Sequence, residues 1–95
     1  MTIKQANLVL FERYKGLVSK CKSNDLSIVF NMCEYALSND MLEDKQSRWL
    51  GFVQGVLFCN DMIEINEERN LSRKLFHAAY QTLGIPKPKS VDLNK

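Results

Sequence analysis

Trp49-Leu50-Gly51-Phe52-Val53-Gln54-Gly55-Val56-Leu57-Phe58 is the stretch on which the fold turns. It is apolar on nearly every side of a helical wheel, as expected of a helix packed centrally among others. Upstream, Asp40 and Glu43 have the spacing of a capping box, and Glu43 and Asp44 suit the positive end of a helix dipole. Asn60-Asp61 closes the segment, so a helix is expected near 41–59.

Working outward, three further segments carry the same period. Thr2 with Gln5 has capping-box form, and Leu10, Phe11, Tyr14, Leu17, Val18 and Cys21 then recur at helical spacing, giving a first helix near 2–22. Ser23-Asn24-Asp25 is a turn and cap cluster before Leu26, Val29, Phe30, Cys33, Ala36 and Leu37, a second helix near 25–38. Met62-Ile63-Glu64-Ile65 reads as a connector. Asn66 is the expected cap of a fourth helix near 66–83, with Leu71, Leu75, Phe76, Ala79, Tyr80 and Leu83 as its apolar stripe and Gly84 then Pro86 as its stop. The fold class is therefore all-α: a compact four-helix domain over residues 1–84 with a short basic C-terminal tail, 85–95. Phe11, Tyr14, Val18, Phe30, Cys33, Phe52, Val53, Val56, Leu75 and Ala79 are the expected core.

Composition supports one domain. Ninety-five residues with 45% apolar and 25% charged content are too short for two cores and long enough for one. The net charge of +2 conceals a pattern: residues 1–24 carry +4, residues 25–68 carry −7 and residues 69–95 carry +5. Basic ends can pair with the acidic centre, or one-signed patches can lie on separate faces and steer partners. Cys21, Cys33 and Cys59 are odd in number and widely spaced, which suits free thiols in a reducing compartment rather than a disulfide framework. The longest apolar stretch is about half of the roughly 20 residues a membrane span needs. A cytoplasmic protein with no membrane contact is expected.

Two constellations stand out. Ser47, Gly51, Gly55 and Cys59 lie four apart on the third helix, a stripe of small residues. Glycine inside a helix costs about 1 kcal/mol relative to alanine, so a close neighbour should compensate. The stripe suits a packing seam within the domain or across a homodimer or higher oligomer; its sharper reading is a groove for a flat ligand or a partner's helix. Arg69, Arg73 and His77, with Asn70 nearby, form a ridge of hydrogen-bond donors on the fourth helix, suited to phosphates or a partner's carboxylates. The bland reading of that ridge is a solvated face paired with the acidic segment.

Catalysis lacks its parts. One histidine, no nucleophile–base spacing, no glycine-rich phosphate loop and no metal-ligand spacing argue against an enzyme, a cofactor or a metal. Nucleic acid is disfavoured as a partner because the −7 centre repels a polyanion, although Arg13, Lys15, Lys20, Lys22 and the tail are basic.

The run from Ser47 to Leu57, followed by Glu68-Arg69, Ser72-Arg73 and Leu75-Phe76-His77-Ala78-Ala79-Tyr80, resembles small accessory proteins of tailed bacteriophages of the T-even type. The likeness covers about 35 residues of the third and fourth helices, and the sequence departs at Lys74, where the group favours proline. The resemblance implies a gene product acting in an infected bacterial cytoplasm, where such proteins often bind and inhibit a host factor or sequester a defence signal. The first expectation is a non-enzymatic binder of a host protein. The alternative is an oligomeric sponge for a nucleotide signal, with Arg69, Arg73 and His77 facing phosphate and Trp49 or Tyr80 stacking on a base; a nucleic-acid-binding regulator is the third.

Overall fold

The computed structural model describes residues 1–21 and 23–84, and the expected tail, 85–95, lies outside them. Four helices follow one another: α1 (Ile3–Val18), α2 (Asn24–Ser38), α3 (Glu43–Cys59) and α4 (Ile65–Leu83), with no strand among the described residues. The all-α expectation holds.

Local chemistry sets most of the ends. The Thr2 hydroxyl accepts from the Gln5 N–H at 3.1 Å and the Gln5 side chain accepts from the Thr2 N–H at 2.8 Å, a complete capping box. Ser23 caps α2 through the Leu26 N–H. Gly84 closes α4 with φ 70°, a left-handed conformation that glycine adopts without a Cβ clash.

Two expected caps differ. Leu42, not Asp40, precedes α3 and makes no side-chain cap bond, since its side chain carries no acceptor; Asp40 lies further back and accepts from Lys4 Nζ at 3.1 Å. Glu64, not Asn66, caps α4: its carboxylate accepts from the Asn66 and Glu67 N–H groups, and its charge faces the positive end of the helix. The first helix also stops early, at Val18 rather than near 22, where the Cys21 N–H turns back to the Val18 carbonyl.

The central element is α1, which packs against α2, α3 and α4, while α2 also packs on α3. Leu10, Phe11, Tyr14 and Val18 of α1 meet Leu26, Val29, Cys33 and Ala36 of α2 and Leu50, Val53 and Leu57 of α3 in one core. This corrects the central place expected of α3. That helix buries only the stripe Gln46, Leu50, Val53 and Leu57, so Phe52 is 53% exposed and Phe58 48% exposed. Phe30, Val56 and Leu75 are half-buried at the margin of the core. The helices α3 and α4, consecutive in the chain, barely touch each other. Among the described residues no helix is long and apolar enough to cross a membrane.

Candidate functional site

A buried polar network holds α4 against α1. Glu68 is 5% exposed, on a helix whose other first-turn acid, Glu67, points to solvent. One Glu68 oxygen accepts from Arg13 Nε at 3.0 Å and from Arg13 Nη2; the other accepts from the Tyr14 hydroxyl at 2.7 Å. Tyr14 in turn accepts from Gln54 Nε2 at 2.8 Å, which brings α3 into the same network. The buried Glu68 carboxylate and Tyr14 hydroxyl are therefore both paired, while Arg13 reaches the network from the partly exposed side. The Glu68 contact raises the Arg13 pKa above its ordinary value, and burial raises that of Tyr14. The charge pattern supports this join: Arg13 and Lys4 of the basic first segment pair with Glu68 and Asp40 of the acidic centre.

Above this network, α3 and α4 diverge over α1 and leave a cleft with two lobes that share Gln54 and Ser72. The outer lobe, about 480 Å³, is bounded by Gly55 and Phe58 of α3, Ile63 and Ile65 at the start of α4, and Arg69. The inner lobe, about 430 Å³, lies over Ile3, Asn7 and Leu10 of α1, between Glu43, Ser47 and Gly51 of α3 and Phe76 and Tyr80 of α4. Two polar atoms in the cleft wall have no partner: Asn7 Oδ1, on a wholly buried side chain, and Ser72 Oγ. Asn7 Nδ2 is already donating to Gln46 Oε1 at 3.1 Å. A buried acceptor left unpaired costs about 1–3 kcal/mol, a cost that a bound group able to donate would remove.

The sequence-expected residues divide. Ser47, Gly51 and Gly55 line the cleft, whereas Cys59 is exposed and lines neither lobe. Residues four apart rotate about 40° per step around a helix, so a stripe of four cannot stay on one face. A Cβ at Gly51 or Gly55 would meet nothing within 4 Å, so among the described residues no neighbour packs against either glycine. The same rotation splits the α4 ridge. Arg69 lines the outer lobe; Arg73, His77 and Asn70 line neither, and the His77 ring sits 6.4 Å from that of Tyr80. Tyr80 lines the inner lobe, while Trp49 lies on the α2 side of α3, 5.6 Å from the Tyr35 ring with Lys45 Nζ 5.3 Å from its own ring. Trp49 and Tyr80 therefore do not face a common ligand.

Sequence reasoning passed over Asn7 and Glu68. Each has a visible signal: Asn7 interrupts the otherwise apolar stripe Ile3, Leu10, Tyr14, and Glu68 continues the stripe of Leu71 and Leu75 toward the start of α4. A polar group at a core-facing position is one that must find a partner.

Comparison with family models, curated proteins and solved structures gives no match. The chain's own geometry carries the functional argument. Among the described residues no group of three or more His, Cys, Asp or Glu is placed to hold a metal ion. Burial pushes the Cys33 thiol up to about 11, which keeps it protonated and unreactive near neutrality.

Proposed function

We propose that the protein is a small non-enzymatic bacteriophage accessory protein that binds and inhibits a host protein, and that the α3/α4 cleft is where the host protein seats. The observation that carries the reading is the open stripe of Gly51 and Gly55. Among the described residues none packs against either glycine, yet both lower the wall of a cleft whose outer lobe exposes Phe58 and Ile65. Apolar rims around a concave, partly polar floor are what a partner's anchor side chains fill.

A second reading, capture of a nucleotide signal, draws on Arg69 and Tyr80, which both line the cleft. Native purification from infected cells, followed by mass spectrometry, separates the two. A co-purifying host protein that is lost when Gly51→Trp fills the cleft supports the first reading. A released nucleotide lost in the same variant supports the second and removes the first.

A further inference from the structure

We propose that the inner lobe is a receptor for an arginine side chain of the partner protein; the inference rests on the protein-binding reading of the cleft. The lobe's unmet chemistry is that of an acceptor. Asn7 Oδ1 is wholly buried and unpaired, while Asn7 Nδ2 donates to Gln46 Oε1. Ser72 Oγ, on the opposite wall, is buried and unpaired as well. At the same lobe Glu43 contributes an exposed carboxylate that forms no ion pair among the described residues. Among the described residues no lysine, arginine or histidine lines this lobe.

Two unpaired oxygens, on α1 and α4, together with a carboxylate on α3, match a planar cation with several diverging donors. Guanidinium has five N–H groups in a fixed fork; ammonium is a compact, more strongly hydrated point charge. Phe76 and Tyr80 add aromatic surface along the α4 wall, on which a guanidinium stacks favourably. A carboxamide would leave the Glu43 charge unmatched, and a phosphate would be repelled by it. Glu43 is the charged residue among those described as lining the lobe, so a cationic group on the partner is drawn to it.

The probe is N-acetyl-arginine N-methylamide, titrated into isotope-labelled protein while the Asn7 side-chain amide and the Gly51 backbone amide are followed by NMR. Saturable shifts at both are expected, weakened about tenfold or more in Glu43→Gln, in keeping with the loss of a charge-assisted hydrogen bond. Glu43 is exposed, so this variant keeps its fold, which the unchanged spectrum of the core verifies. The lysine analogue should shift the same signals less, and the glutamine analogue and AMP should leave them in place. No shift with the arginine probe, equal affinity for the glutamine analogue, or affinity untouched by Glu43→Gln overturns the proposal. A host protein retained by wild type, lost in Gly51→Trp and held undiminished by Glu43→Gln overturns the arginine receptor while leaving the protein-binding reading standing. Co-purification unaffected by Gly51→Trp removes both.

Discussion

The α1/α4 seam and the α3/α4 cleft both bring α4 beside another helix, and they treat polar groups in opposite ways. On the seam, Arg13, Tyr14, Gln54 and Glu68 satisfy one another, so a buried carboxylate is retained without an orphan. In the cleft, Asn7 Oδ1 and Ser72 Oγ are left without partners, and Gly51 and Gly55 face open space. The seam's polar groups are paired with one another; two polar atoms of the cleft wall are not. Helices that are consecutive in sequence usually close on each other, but here the polar network fixes α4 on α1 at a position that keeps it off α3.

The largest effect expected from breaking this contrast lies on the seam. Glu68→Ala strands the Tyr14 hydroxyl and the Arg13 guanidinium together, and removing one partner of a buried pair costs about 3–5 kcal/mol. Arg13 is partly exposed and can turn to water, which places the loss near about 3 kcal/mol. Urea unfolding followed by circular dichroism checks this value. A loss below about 1 kcal/mol would mean that the network does not hold α4 in place.

Alkaline pH comes next. Burial raises the pKa of Cys33 from 9.0 to about 11, and that of Tyr14 also rises above its ordinary value. The folded state thus retains protons that the unfolded chain gives up. Stability from Cys33 is complete below pH 9 and declines as pH climbs toward about 11, by about 2–3 kcal/mol; the Tyr14 contribution declines from about pH 10 upward. Unfolding free energies measured across this range should fall, and Cys33→Ala should flatten the first part of the decline.

The fold was legible in the sequence where local chemistry decides: the Thr2–Gln5 box, the Ser23 cap and the Gly84 stop all sit where their residue types require. The position of α3 was not. Apolar residues on all its sides imply a central helix, yet periodicity reports which residues want burial and not how many neighbours are available to provide it. With α1 occupying the centre, Phe52 and Phe58 stay exposed. The cleft was half legible. Two helix-interior glycines signalled a close approach, but among the described residues none packs against them, and Asn7 and Glu68 needed the tertiary structure to show that one is orphaned and the other satisfied.

The smallest effect on folding belongs to the α4 ridge. Among the described residues Arg69 and Arg73 make no ion pair with a carboxylate, so Arg69→Ala with Arg73→Ala should change stability by less than about 1 kcal/mol. Activity in a phage or host-inhibition assay should drop, chiefly through Arg69 in the outer lobe. The single variants sharpen the comparison: Arg69→Ala should account for most of the loss, and an equal loss from Arg73→Ala would move the binding face outward from the cleft.

The openness of the cleft is tested most directly by replacing Gly51 and Gly55 together with alanine and measuring the unfolding free energy in urea. With open space at both positions, each alanine should stabilise the helix by up to about 1 kcal/mol. A double variant more stable than the parent is the expected result. A double variant less stable than the parent would mean that α3 and another helix of this chain close on the glycines, and would contradict the cleft.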